Sequence, residues 1–340
     1  MKKLLLLPLL LLLATGSFAQ TTVYKNLVFE GAGIRGVAYT GFISEFEKAG
    51  LLEQVERVGG TSAGAIVALA LALGYQADEI TSLIYDTRFQ QFNDGQYIFF
   101  GGISRVNKRY GWYKGDKFLK WLEKIIAAKT RNADITFQEL HESGYRDLYV
   151  TGTSLNRQKM LVFSRETYPD MKIKDAVRIS MSVPLYFEAV VIDSAGKVIN
   201  KSKNLAGYDI VVDGGIIGNF PIQLFDSVAT GTANSRIINP HTLGIRIDSD
   251  VQMEYDKTSR EIAPYPIDNL TDYVGAFYAL VIENLNRHQL TDADWERTVS
   301  ISSAGIGPKV KRLSKEQKNA LINSGRQGAL RFNSKLEIQN

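Results

Sequence analysis

Short apolar runs alternate with longer stretches of helical spacing along this chain, the pattern of an α/β protein. Leu27-Val28-Phe29 predicts a buried strand, and after a glycine-rich turn the segment Val37 to Lys48 predicts a helix that stops at Gly50, a suitable C-cap residue. Val55 to Val58 predicts the next strand. The run from Ala65 to Leu73 is apolar on every side and ends at Gly74. A helix with no polar face has to lie in the middle of a domain.

Farther along, Phe118, Leu119, Leu122, Ile125 and Ile126 give helical spacing to Asp116–Ala128, and Phe137 to Glu142 reads as a short helix. Strands are predicted at Leu148–Thr153, Met160–Phe163, Tyr208–Val212 and Thr242–Ile247, a long helix at Tyr273–His288, and a terminal helix at Lys315–Leu330. Asp248 and Asp250 read as turn residues, and Ala304-Gly305-Ile306-Gly307 as a loop closed by Pro308. With no repeat, low-complexity linker or long charge run, one domain over residues 20–340 is the expectation.

The first residues change the picture of compartment. Lys2 and Lys3 precede an uncharged run from Leu4 to Leu13 and the small-residue exit Ser17-Phe18-Ala19, the plan of a secretory signal peptide cleaved after Ala19. The run falls short of the roughly 20 apolar residues that span a bilayer, and Pro8 interrupts it. The expectation is an exported protein, periplasmic or secreted. The chain has no cysteine, so neither a disulfide nor thiol catalysis nor a cysteine-based metal site is available. Losing Lys2 and Lys3 brings the formal charge of +4 closer to neutral, which argues against a nucleic-acid partner.

Three glycine-marked turns carry the candidate chemistry, each after a predicted strand, where open α/β sheets bind their ligands. The first is Gly31-Ala32-Gly33-Ile34-Arg35-Gly36, opening a helix. Its backbone N–H groups can converge on one anionic atom, helped by the positive helix end. Alone this motif equally suits a dinucleotide pyrophosphate. Against that, Glu53 and Glu56 precede or begin the second strand, whereas a ribose-binding acid terminates it.

The second turn, Gly60-Thr61-Ser62-Ala63-Gly64, sets a serine between two glycines at a strand-to-helix corner. This is a nucleophile elbow, in which the flanking glycines permit a sharp turn and Ser62 projects above the sheet. The third, Asp213-Gly214-Gly215, puts a carboxylate at a strand end with two flexible residues behind it. A base for Ser62 could be Asp213 itself, or His241 or His288 in a Ser-Asp-His order. His141 sits at the polar end of its short helix.

The ordered set GAGIRG, GTSAG and DGG, in these contexts, resembles the patatin-like phospholipase family, over about Leu27 to Phe220 and including Arg178-Ile179-Ser180-Met181-Ser182-Val183-Pro184-Leu185-Tyr186-Phe187. The C-terminal third matches no motif, and either completes the fold or forms an accessory region. The resemblance implies a three-layer α/β/α fold with a mostly parallel central sheet, a Ser62–Asp213 dyad, and an oxyanion hole from the amides of Gly31 to Gly36, Gly33 and Ile34 foremost. Arg35 fits the family's basic position, where it holds the loop or meets a lipid phosphate; an ordinary surface arginine is the alternative. Two departures are small: Ala32 stands where a glycine is frequent, harmless if its φ is negative, and DGG replaces DGA.

The implied activity is acyl-ester hydrolysis of the phospholipase A or esterase type, through an acyl-enzyme and without cofactor or metal. Aspartate is a weak base, so its pocket has to be desolvated to raise its pKa. Phe89 to Trp112 interleaves Phe92, Tyr97, Ile98, Phe99, Phe100, Tyr110 and Trp112 with Arg105, Lys108 and Arg109. This suits a lid over an acyl groove at a lipid or phospholipid surface. A catalytically silent lipid-binding protein of the same fold is the remaining reading.

Overall fold

The computed structural model describes residues 23–95, 98–199, 205–229, 235–284, 287–307 and 312–339. The expected signal peptide therefore lies outside the described residues. The chain opens with β1 (Asn26–Phe29), a 3-10 turn (Gly33–Val37), α1 (Ala38–Lys48), β2 (Arg57–Gly60) and α2 (Ala63–Ala72). Next come α3 (Ala77–Asp86), α4 (Ile98–Arg109), β3 (Gly111–Tyr113), α5 (Asp116–Thr130) and α6 (Phe137–Glu142). The middle contributes β4 (Asp147–Ser154), β5 (Lys159–Phe163), α7 (Ile173–Ser180), β6 (Leu185–Phe187), β7 (Val190–Ile192), β8 (Asp209–Asp213) and the single turn α8 (Gly215–Gly218). The C-terminal third holds β9 (Ser227–Val228), β10 (Arg236–Ile237), β11 (Thr242–Asp248), α9 (Asp250–Thr258), α10 (Leu270–Tyr278), α11 (Asp292–Glu296), β12 (Thr298–Ser302) and α12 (Lys315–Gln339).

Eight strands form one sheet, ordered β12-β11-β1-β2-β4-β8-β7 with β5 also on β4. From β12 to β4 all pairings are parallel, while β5, β7 and β8 join antiparallel. The α/β expectation is met, and the apolar strands have their cause here: β1 and β11 are buried along their whole length between neighbours and covering helices. β11 and β12 lie beside β1, and α12 packs on α1 and β12. The C-terminal third thus closes one side of the sheet.

All ten residues of α2 are buried, as its uniform apolarity requires. β2 runs two residues later than predicted, ending at Gly60, so the elbow follows the strand with no spacer. The predicted helix at Tyr273–His288 is instead α10, a π-helical turn (Ala279–Asn284) and a 3-10 turn (Arg287–Gln289). Asp248 is no turn residue. It is buried at the end of β11, where Arg246 (2.7 Å) and Arg287 bind it, with Glu30 (3.1 Å) on the other side of Arg246. Phe220 and Trp295 flank the Arg246 guanidinium. Asp250 starts α9, whose N-cap is Ser249.

Candidate active site

β4 carries the geometry that assembles the site. Gly60 at the end of β2 pairs with Val150, but β4 continues to Ser154, and β8 pairs antiparallel with that overhang, Gly152 opposite Asp213. Asp213 therefore arrives at the level of the elbow, just beyond β2. Ser62 has φ 53° and ψ −120°, a region an L-residue occupies only when its surroundings hold it there. Gly64 is part of that hold, since a Cβ on it would run into the carbonyl oxygens of Phe29 and Glu30. The Ser62 N–H donates to Ser180 Oγ at 2.8 Å, and Thr61 Oγ1 lies 2.6 Å from Thr151 Oγ1.

The Ser62 hydroxyl lies 3.5 Å from Met181 Sδ and close enough to the Asp213 carboxylate to lower its pKa. Asp213 is buried, and burial pushes its carboxyl up from 3.8 to about 7, although the Gly215 amide (2.7 Å to Oδ1) and the Ser62 hydroxyl both lower it. This is the desolvation that an aspartate base needs. Its own N–H donates to the Ser182 carbonyl at 2.9 Å. Ser182 Oγ is held by Arg178, a buried guanidinium that also donates to the Lys114 carbonyl at 2.6 Å and that desolvation lowers to about 10.

Two of the three histidines lie far from Ser62. His241 precedes β11 at the edge where Asn26 starts β1, opposite the end that carries Ser62, and its Nδ1 meets the Val23 carbonyl at 2.7 Å. His141 lies at that same edge, 2.8 Å from Asp147 at the start of β4. The backbone of His288 lies in the 3-10 turn after the π-helical segment.

The glycine-rich loop separates into two kinds of residue. Gly33 (φ 53°) and Ile34 begin the 3-10 turn and line the space beside Ser62, and the first N–H groups of such a turn lack an internal acceptor. The amides of Gly31 and Arg35 are engaged elsewhere, with the carbonyls of Asn219 (3.0 Å) and Ala32 (3.1 Å). Those two positions are thus corrected from oxyanion donors to loop supports. Arg35 is buried and its Nε donates to the Ala32 carbonyl, so it holds the loop and does not reach out to a lipid phosphate. Ala32 sits at φ −132°, where alanine is as good as glycine. Gly36 packs against Ala63, and Gly214 against Thr151.

Asn219 had no counterpart in the sequence reading. Its Nδ2 donates to the Gly31 carbonyl at 2.9 Å while its backbone carbonyl accepts from the Gly31 amide. The segment after Asp213 is thereby clamped to the loop after β1. Ser180, Met181 and Arg178 were visible only as members of the stretch resembling the family.

Beside Ser62 lies an apolar slot of about 90 Å³ with walls from Phe89, Phe92, Phe118, Met181, Val183 and Tyr186. It is smaller than a cavity of about 150 Å³ that accepts benzene, so a long acyl chain requires these walls to give. Of the expected lid, Phe89 and Phe92 are walls of the slot, Tyr110 is exposed and Trp112 packs over Gly102. Tyr97 lies outside the described residues.

A family model for the patatin-like phospholipases matches residues 27–226. The chain is 34% identical to the uncharacterized protein YqhO of Bacillus subtilis over 214 residues, 60% of this chain and 67% of that protein. It is 29% identical to the probable lipid hydrolase 463L of Invertebrate iridescent virus 6 over 206 residues, 59% of this chain and 63% of that one. Among solved structures, VipD from Legionella pneumophila superposes with a TM-score of 0.55 at 16% identity, covering 92% of this chain and 67% of VipD. That last likeness is one of fold.

Proposed function

Because the chain belongs to the patatin-like phospholipase family, whose chemistry is lipid acyl hydrolysis, we propose that it cleaves acyl esters with Ser62 as nucleophile and Asp213 as general base. The observation that carries this reading is the strained Ser62 set beside a buried Asp213 carboxyl that burial raises to about 7. Ionised Asp213 accepts the Ser62 proton as Oγ attacks the ester carbonyl. Gly33 and Ile34 N–H groups receive the oxyanion, and the N-terminus of α2 adds positive potential at Ser62. Asp213 then protonates the leaving alcohol. In the second half, a water gives its proton to Asp213 and attacks the acyl-enzyme, releasing the fatty acid and restoring Ser62.

The apolar slot receives the acyl chain, which favours lipid and phospholipid esters over polar ones. Export through a cleaved leader, ending in the periplasm or outside the cell, is supported by Lys2, Lys3, the Leu4–Leu13 run and the Ser17-Phe18-Ala19 exit. N-terminal sequencing of the protein recovered from outside the cytoplasm checks it, with Gln20 as the expected first residue.

The test is hydrolysis of a medium-chain p-nitrophenyl ester and of a phospholipid by wild type, Ser62→Ala and Asp213→Asn. Both variants, folded, are expected to lose at least about a thousandfold in kcat/KM on both substrates. Near-wild-type activity in Asp213→Asn would return attention to His288. A wild type inert on both substrates, and unlabelled by a serine-directed phosphonate, would favour the silent lipid-binding reading.

A further inference from the structure

α10 shows a helical stripe on which nothing packs among the described residues. Leu270, Tyr273, Val274, Phe277 and the following Leu280 recur at helical spacing, and their exposures are 76%, 60%, 57%, 63% and 54%. Such spacing ordinarily turns toward a core. The helix is nonetheless built, because the Asn269 side chain caps it by accepting from the Asp272 N–H at 3.1 Å. Together these side chains present on the order of 500 Å² of apolar surface, at about 200 Å² each when whole, which is the size of the largest patch on a typical monomer, a patch that is often functional.

The stripe is tied to the active site. Its π-helical continuation packs on α8, the turn that begins two residues after Asp213 and whose last carbonyl accepts from Thr61 of the elbow. A second exposed apolar residue sits at the acyl slot itself: Leu185, at φ 66° and 66% exposed, lies between the slot walls Val183 and Tyr186. Both halves of the dyad thus carry an apolar outwork.

We propose that the α10 stripe docks the protein on a zwitterionic phospholipid surface, from which the substrate acyl chain enters the slot beside Ser62. This rests on the lipid-hydrolase reading. Charge selects the occupant. From Glu261 to Leu280 the chain carries Glu261, Asp268 and Asp272 and neither lysine nor arginine. An anionic bilayer would repel this flank. A symmetric contact with a second copy would set the acidic flank against itself, since an isologous interface uses the same patch twice. A zwitterionic surface takes up the apolar side chains without either cost.

The experiment is flotation of the purified Ser62→Ala protein with phosphatidylcholine vesicles, beside the same protein carrying Leu270→Gln and Phe277→Gln. Circular dichroism verifies the fold, and sedimentation velocity reads the oligomeric state. Ser62→Ala is expected to float. The two glutamines should weaken binding by about a hundredfold, near a factor of ten for each large apolar side chain withheld from the lipid. Adding phosphatidylglycerol should weaken it further. In an otherwise wild-type chain the two glutamines should leave hydrolysis of a monomeric short-chain ester unchanged and depress that of vesicle phosphatidylcholine.

Flotation unaffected by the glutamines, binding to anionic vesicles alone, or a dimer that the glutamines dissociate without vesicle binding would each overturn the proposal. Turnover of the monomeric ester without flotation would sink the docking surface and leave the hydrolase standing. Flotation of a protein that hydrolyses nothing would do the reverse.

Discussion

Asp213→Asn should make this protein more stable at neutral pH while abolishing its activity. The Asp213 carboxyl is buried and raised from 3.8 to about 7, so the folded state keeps a proton that the unfolded chain has released. Between those two values the native protein binds more protons than the unfolded one, and stability falls as pH rises. At about 1.4 kcal/mol per pKa unit, the loss accumulated by pH 7 and above is on the order of 4 kcal/mol. Asparagine keeps the shape and can still accept the Gly215 N–H at Oδ1, but it carries no charge to desolvate. Urea unfolding of both proteins at intervals from pH 4 to pH 9 measures the difference. The variant's advantage should start near zero at the acid end, grow through the interval and level off above about pH 7, leaving a gain of several kcal/mol. A gain that is absent, or the same at every pH, would refute the reasoning that desolvation tunes this carboxylate. The same ionisation predicts wild-type kcat/KM rising with pH to a plateau above about 7.

Two further substitutions test the supports of the site. Gly64→Ala forces a methyl group toward the Phe29 and Glu30 carbonyls, the latter at 2.6 Å, so it should cost about 3 kcal/mol of stability and most of the esterase activity, read by denaturation and by ester turnover. Arg246→Leu leaves Glu30 with no Arg246 and Asp248 with Arg287 alone. It should cost about 3–5 kcal/mol, the penalty for removing one partner from a buried charge network, and a loss below about 1 kcal/mol in urea unfolding would contradict that network.

Much of the fold was legible because its signals are local. A helix apolar on every side can only be central, and α2 is; strands apolar along their length belong in a covered parallel sheet, and β1 and β11 do. The long helix predicted after Tyr273 was misread, for its periodicity came from an apolar stripe that faces outward and from a π-helical turn that shifts the phase. Asp248 was misread as a turn residue because its partner Arg287 lies 39 residues away in the chain and meets it only in the fold.

The residues of the three turns were legible in the sequence alone, because a sharp strand-to-helix corner or a cradle of amides has stereochemical demands met within a few residues: Ser62 between glycines, the glycines of Gly31 to Gly36, Asp213 before Gly214. Their meeting was not. It depends on β4 running past β2 so that β8 can pair with the overhang, and on Asn219 clamping one loop to another. Nor could the chain order reveal that the amides of Gly31 and Arg35 in the glycine-rich loop are engaged elsewhere, that His241 lies at the opposite end of the sheet, or that the Asp213 carboxyl is buried. Those are properties of strand order and burial, which sum contacts from distant parts of the chain and leave no local pattern to read.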